Sequence, residues 1–398
     1  MEPWMLACTY CQRKYPLDRL NPRCEPCGEP LEAISPGPGT INKVNPLTQT
    51  LVDRYAAFLP LSPVDRDLTL GEGFTPLVRS DRIAHRLGMK SILFKNESSN
   101  PTWSFKDRGT AACVHHAVAR GVTKIGTVSS GNMAASVAAY GAMAGLDTYV
   151  FVSARMPKEK INPIAIYGPT IITVSGDYGA LYYESLSLGE RNDIYFINSD
   201  VPLRVEGSKT IAFEICEQMS FAVPDYVIIP TSSGGNARGI MKGFDEFKRS
   251  GLIDRLPSFI CVQAEGCSPI ARAYTAQHDR IEPYLHAETI AHAIENPYPP
   301  SGNEILRQVG AGKGIVTTVT DAEILAAQSD LAAEGFFVQP AAAVPLAAAV
   351  NLRRRGYLSE TDTVVCILTG SGLKYTAVFE HYRFPVREAT LENLEDAL

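Results

Sequence analysis

Asn100-Pro101-Thr102-Trp103-Ser104-Phe105-Lys106-Asp107-Arg108-Gly109 is the most informative stretch of the chain. Asn-Pro forces a turn. Ser104 is a good N-cap, and Asp107 three residues on completes a variant capping box. The pattern predicts a helix from about Phe105 to Arg120. Lys106 then falls in the first turn, at the positive end of the helix dipole, where a cation is unfavourable. That placement depresses the amine's pKa, as a Schiff-base lysine requires. The same residues also read as a solvated surface lysine beside Asp107, and the stretch alone leaves both readings open.

Around this stretch, from about residue 67 to residue 385, short apolar β-rich runs alternate with helix-length segments. The runs are Ile92–Lys95, Lys124–Val128, Thr148–Val152, Ile171–Val174, Ile194–Ile197, Tyr226–Ile229, Phe259–Val262 and Thr363–Leu368. Between them lie segments such as Ala134–Ala144 and Ile211–Met219. The alternation predicts an α/β fold with parallel sheets covered on both faces, and the number of runs predicts more than one sheet. Three turns at the ends of such runs carry polar residues. Ser129-Ser130-Gly131-Asn132 joins Lys124–Val128 to the next helix, and reads as an anion or carboxylate site or as a plain capped turn. Thr231-Ser232-Ser233-Gly234-Gly235-Asn236 precedes the predicted helix Ala237–Phe247. Its two glycines, hydroxyls and helix dipole suit a small phosphate. It lacks the lysine of a nucleoside-triphosphate loop and the spacing of a dinucleotide fingerprint. Thr369-Gly370-Ser371-Gly372 sets a threonine hydroxyl at a strand end, within reach of a ring nitrogen.

Composition bounds the partners. The length of 398 residues suggests two or three domains at ~150 residues each. The 37 basic and 43 acidic residues leave a net charge of −6 with no basic run, which argues against nucleic acid. No apolar stretch reaches the ~20 residues of a membrane span. Met1-Glu2-Pro3-Trp4 does not read as a secretion signal, and the nine cysteines, an odd number, suit a reducing cytoplasm. Cys8-x-x-Cys11 and Cys24-x-x-Cys27, twelve residues apart, have the spacing to present four thiolates to one zinc. Such a site is closed, hence structural, and would supply the folding energy of a module with almost no core. Residues 1–33 thus read as a zinc-ribbon-like module and residues 34–66, with Ser35-Pro36-Gly37-Pro38-Gly39, as a linker or arm. Residues 67–385 form the main region and residues 386–398 an acidic, fraying tail. His115-His116 point about 100° apart on a helix, so packing or surface roles outrank metal binding.

Together the lysine stretch and the turns resemble the fold-type II, tryptophan synthase β-like family of pyridoxal-phosphate enzymes, and within it the threonine synthase family, over roughly residues 67–375. The lysine stretch is similar to N-P-T-x-S-F-K-D-R-G. Gly71-Glu72-Gly73-Phe74-Thr75-Pro76-Leu77 resembles G-E-G-x-T-P-L. The resemblance implies two parallel-sheet α/β domains, the smaller over about residues 100–200, behind the zinc-ribbon-like module that some members carry. It makes Lys106 the catalytic lysine joined to pyridoxal 5'-phosphate. It sets Asn132 beside the cofactor's 3-oxygen, Ser232, Ser233, Gly234, Gly235 and Asn236 around its phosphate, and Thr369 at the ring nitrogen. Asn198-Ser199 with Arg204-Val205-Glu206-Gly207-Ser208-Lys209-Thr210 looks like N-S-x4-R-x-E-G-x-K-T. In that family the Asn, Ser and Arg grip the phosphate of O-phosphohomoserine, with help from the turn of Ser129 and Ser130. Arginine's planar fork suits a phosphate, although an Arg204–Glu206 ion pair is the plainer reading.

The implied activity is conversion of O-phospho-L-homoserine and water to L-threonine and phosphate, in a cytoplasmic homodimer. The alternatives within the fold are β-replacement on O-phosphoserine and Ser or Thr dehydration. Several positions depart from the family pattern. Trp103 stands where Gly is usual and Met133 where Thr is. Ser232-Ser233 replaces Gly-Asn, Gln339 replaces Glu, and Ser371 and Tyr375 replace His and Asp. Trp103 and Met133 bear on the identity of the substrate or nucleophile.

Overall fold

A computed structural model describes residues 3–41, 50–64, 67–154, 156, 158–176, 178–387 and 390. Most of the expected acidic tail therefore lies outside the described residues.

The N-terminal module is a three-stranded antiparallel sheet of β1 (Met5–Cys8), β2 (Lys14–Pro16) and β3 (Leu31–Ile34), in the order β2-β1-β3. Its apolar core is small: Leu6, Tyr15, Leu31 and Ala33 beside Cys8 and Cys24. The segment that follows is more than a tether. Thr50 caps a short helix, Leu51–Arg54, and Leu51, Tyr55 and Phe58 are buried against Phe213 and Phe247 of the main body.

Ten further strands follow in chain order. They are β4 (Leu77–Arg79), β5 (Ser91–Asn96), β6 (Lys124–Val128), β7 (Asp147–Ser153), β8 (Thr170–Val174), β9 (Tyr195–Phe196), β10 (Tyr226–Pro230), β11 (Ser258–Ala264), β12 (Gly314–Val319) and β13 (Thr363–Leu368). One sheet has the order β12-β11-β10-β13-β5-β4 and is parallel except where β4 meets β5. The other, β8-β7-β6-β9, is all parallel and draws every strand from residues 124–196. The middle strands are apolar throughout because helices cover both faces. Ile229 and Val365 face the side of Phe213 and Phe244, while Ile228 and Val364 face the Ala341–Ala349 stretch.

The predicted runs coincide with β5–β8, β10, β11 and β13 to within two residues at each end. The run Ile194–Ile197 shortens to the two-residue β9. Neither β4 nor β12 announces itself as an apolar run, since each is an edge strand with an exposed or half-buried face. The helix expected over Ile211–Met219 begins nine residues earlier, at Pro202, and ends at Gln218. Pro202 opens it at a position where its missing N–H costs nothing. Arg204, Glu206 and Lys209 are buried in it, so its first half carries no amphipathic signature. Among the described residues no helix is long and apolar enough to cross a membrane.

Candidate active site

Asn100 anchors the lysine turn. Its Oδ1 accepts the Gly73 N–H at 3.0 Å, and its Nδ2 donates to the Glu97 carbonyl at 2.8 Å and carboxylate at 2.9 Å. The Trp103 N–H closes the turn on the Asn100 carbonyl at 2.7 Å. Trp103 sits at φ 62, a conformation that favours glycine. The helix runs Lys106–Ala119 with Phe105 at its N-cap. The expected capping box is not formed. The Ser104 Oγ is buried without a hydrogen-bond partner, and the Asp107 carboxylate instead accepts the Thr102 N–H and hydroxyl, both at 2.6 Å. The turn folds Thr102 back over the first helical turn and captures the carboxylate there. Asp107 is fully buried, so Lys106 is not half of a surface pair. The turn is stitched to the end of β13 by Phe105 N–H to the Thr369 carbonyl at 3.1 Å and Ser371 N–H to the Trp103 carbonyl at 3.0 Å.

Lys106 opens onto a cavity of about 630 Å³. Five helices send first-turn or capping residues to its wall: Lys106–Ala119, Asn132–Ala144, Pro202–Gln218, Gly235–Arg249 and Pro340–Arg354. None of the five has a side-chain N-cap. The helices Asp81–Leu87 and Asp321–Ala333, away from the cavity, are capped by Ser80 and Thr320. The positive dipole ends of five helices thus converge on one space. Four basic residues, Lys106, Lys160, Arg204 and Lys374, also line it, and none of the described lining residues is acidic. In a chain of net charge −6 this is a place for anions.

Ser129, Ser130, Asn132, Ser199, Arg204, Ser232, Ser233, Gly234, Asn236 and Thr369 line the cavity with Lys106. Gly235 and Asn198 do not. Gly235 packs on backbone, where a Cβ would come within 2.6 Å of the Ser199 carbonyl. The Asn198 carboxamide is buried behind the wall, accepting the Val128 N–H and donating to the Ser185 Oγ, both at 3.0 Å. It ties the strand end before Ser129 to the turn holding Ser199, so the structure gives it a bracing position. Gly234 has φ +90, and a Cβ there would meet the Ser301 side chain at 2.9 Å.

Arg204 has no carboxylate within ion-pair distance among the described residues. Glu206 pairs instead with Lys209 and Lys242. The Arg204 guanidinium donates to the Lys106 carbonyl at 3.2 Å and the Thr110 hydroxyl at 3.1 Å, and its Nε is buried with no partner. Close helix crossing brings it there. A Cβ on Gly207 would lie 2.2 Å from the Arg108 carbonyl oxygen, and one on Gly109 would lie 3.0 Å from that of Arg204. Burial first, and the Arg204 charge second, pull the Lys106 amine down to about 7. Burial likewise lowers Lys374 to about 8 against the pull of Asp107, and Lys374 donates to the Thr102 carbonyl at 2.7 Å. Thr110, Ser208 and Lys374 were not singled out from the sequence. Thr110 is recognisable only once two helices cross, whereas Lys374 falls five residues after Thr369 in the same turn.

The four N-terminal cysteines bring their sulfur atoms within 4.8 Å of one another. Cys8–Cys27, Cys11–Cys24 and Cys11–Cys27 stand 3.4, 3.5 and 3.8 Å apart. Tetrahedral zinc with bonds of about 2.3 Å asks for sulfurs ~3.8 Å apart. The N–H groups of Tyr10 and Cys11 point at the Cys8 sulfur, both at 3.4 Å. This donor set fits a closed thiolate site. His115 and His116 are buried apart from it, His115 against the Ser62 carbonyl and His116 edge-on to Tyr195.

The family described as pyridoxal-phosphate dependent enzyme matches residues 68–370. A threonine synthase of Methanocaldococcus jannaschii is 39% identical over 373 residues, covering 92% of each chain. One from Methanosarcina acetivorans is 37% identical over 372 residues, 93% of this chain and 92% of the relative. The chain belongs to the threonine synthase family of pyridoxal-phosphate-dependent enzymes. Its fold is also that of maize serine racemase (TM-score 0.66, 22% identity, 77% of this chain and 91% of that one). A tomato threonine deaminase matches equally well in shape (TM-score 0.66, 20% identity, 77% and 86%).

The cavity fits the cofactor of a threonine synthase family member. Lys106 would supply the amine. The Ser232–Asn236 turn would offer hydroxyls and backbone N–H groups to a phosphate, and both polar atoms of the Asn236 carboxamide are buried without partners. Where the family pattern has Glu, the Gln339 Oε1 accepts from Asn132 Nδ2 at 3.0 Å. This amide keeps the pair without adding a negative charge to the wall. Ser371 caps the short helical turn Gly372–Lys374, accepting the Leu373 N–H at 3.2 Å. Trp103 and Tyr375 both line the cavity, and Trp103 stands 53% exposed at its rim.

Proposed function

We propose that the protein is a threonine synthase that turns O-phospho-L-homoserine and water into L-threonine and phosphate. One observation carries this reading: besides Lys106, the wall of its cavity holds the basic side chains of Lys160, Arg204 and Lys374, the N-terminal ends of five helices and no described acidic residue. That is more anion capacity than one cofactor phosphate needs. The Ser232–Asn236 turn would take the cofactor phosphate. Arg204 with Ser199 and Ser129 would take a second phosphate, on the substrate. The unpartnered Nε of Arg204 supports this assignment. A dehydratase acting on free Ser or Thr has no use for that second site.

Pyridoxal phosphate, once bound, supplies an electron sink for the pair left when a proton leaves the substrate α-carbon. The chain's residues do the rest. Lys106 would hold the cofactor through its amine, and the freed Nζ would be the base that removes the substrate's α-proton. An amine near pH 7 in its affinity for protons accepts and returns them at neutral pH. Nζ would pass the α-proton to the departing phosphate, take the β-proton and deliver it to the γ-carbon. Arg204 and Ser199 would keep the phosphate in place while water adds its hydroxyl at the β-carbon, the water's remaining proton going through Nζ to the α-carbon. Thr369, which lines the cavity, would offer the ring nitrogen a neutral hydroxyl. The four-cysteine module would hold one structural zinc. We place the enzyme in the cytoplasm, as a homodimer, with a smaller domain over about residues 100–200.

The test is incubation of the cofactor-loaded protein with O-phosphohomoserine, with amino-acid and phosphate analysis. Threonine and phosphate are expected in equal amounts, with O-phosphoserine at least about a hundredfold slower. Faster phosphate release from phosphoserine, or 2-oxobutyrate in place of threonine, would overturn the reading.

A further inference from the structure

Arg23 lies in the N-terminal module, yet its guanidinium reaches the main body. Nη2 meets the Asp200 carboxylate at 2.6 Å, and Nη1 donates to the Pro300 carbonyl at 2.9 Å. The ring of Tyr182 lies 5.7 Å beneath it, and the Tyr182 hydroxyl donates to the other Asp200 oxygen. Asp200 is fully buried, and Arg23 is nearly so. Both ends of this contact lead to the cavity. Asp200 directly follows Ser199, whose carbonyl presses on Gly235. Pro300 directly precedes Ser301, whose N–H donates to the Ser233 carbonyl at 2.9 Å. Arg238 braces the same segment, joining the Ser301 hydroxyl at 3.0 Å to the Leu31 carbonyl at 3.2 Å.

We infer that Arg23 is a positioning residue for the substrate-phosphate site: it neutralises the buried Asp200 carboxylate beside Ser199 and holds that turn against the Ser233 turn. The inference rests on the reading of Ser199 and Arg204 as the second phosphate site. Its physical basis is that removing one partner of a buried ion pair leaves the other uncompensated, at a cost the pair does not carry. Next to Ser199 such a charge repels a phosphate dianion. It does not touch Lys106. Loss of Arg23 therefore weakens phosphate binding and raises KM while leaving kcat near its value.

The experiment measures binding of inorganic phosphate to the cofactor-loaded protein by titration calorimetry, and KM and kcat for O-phosphohomoserine, in four variants. Arg23→Gln is expected to weaken phosphate binding and raise KM by about tenfold or more, with kcat within about twofold. Arg23→Gln with Asp200→Asn removes both charges and is expected to regain most of the loss, which a merely structural contact would not. If Arg23→Gln does not fold, Arg23→Lys carries the test: it keeps the charge, loses the fork, and is expected to weaken phosphate about threefold. Unchanged phosphate affinity in the folded Arg23 variants, or a double variant no better than the single one, overturns the inference. Arg204→Gln separates the two claims. Phosphate binding lost there but intact in Arg23→Gln refutes the positioning role alone; binding intact in Arg204→Gln refutes the phosphate-site reading itself.

Discussion

At the scale of single residues, Lys106 is set apart by what surrounds it. It starts a helix, faces a cavity whose described lining residues include no carboxylate, and shares its neighbourhood with Arg204. Its amine falls to about 7 through burial and that charge, from an ordinary value near 10.5. A neutral amine attacks an aldehyde and a protonated one does not. The rate at which cofactor-stripped protein captures pyridoxal phosphate should rise with pH up to about 7 and then level. A rate still climbing between pH 8 and 10 would mean an unperturbed lysine. The sign for stability follows from the same shift. Between about pH 7 and 10.5 the unfolded chain binds this proton and the folded one does not, so the stripped protein gains stability as pH rises. Lys106→Met should reduce that slope, leaving the share that Lys374, lowered to about 8, contributes above that pH. The amine's place in the first helical turn was legible in the sequence. The absence of the Ser104 cap was not, because it depends on Thr102 folding back to claim Asp107.

Among the elements, the crossing of Lys106–Ala119 with Pro202–Gln218 decides where the two cations meet. Gly207 allows the contact. Replacing it by Ala adds about 1 kcal/mol of helix propensity, yet its Cβ would press on the Arg108 carbonyl at 2.2 Å. Overpacking against backbone outweighs the gain, and Gly207→Ala should destabilise the fold by about 1–3 kcal/mol and weaken phosphate binding with it. Denaturant titration measures the first; a variant as stable as the parent would show that the crossing can relax. The strand runs were readable because a parallel strand covered on both faces is apolar at every position, as in Val364–Leu368. The first half of the Pro202 helix was not. Its Arg204, Glu206 and Lys209 are buried, and Lys242 and Glu246, the partners of Glu206 and Lys209, come from a helix more than thirty residues further on.

For the whole molecule, the N-terminal module is bound to the body by charge. Arg23–Asp200, Arg307–Glu29 and Arg238–Glu32 cross that boundary. The cysteine spacing made the module legible from sequence, whereas its docking was not, since each contact joins residues far apart in the chain. Metal analysis should find one zinc per chain. Chelation should raise the number of thiols open to a thiol reagent by four, as Cys8, Cys11, Cys24 and Cys27 come free while the other five stay buried. Four reactive thiols before chelation would contradict a metal site. The central claim concerns chemistry at the cavity, where Lys106 and Lys374 are two amines of lowered pKa on one wall. Borohydride reduction of the cofactor-loaded protein followed by peptide mass mapping tests it most directly. A phosphopyridoxyl group is expected on the peptide bearing Lys106. A label on Lys374, or none on either lysine, would contradict it.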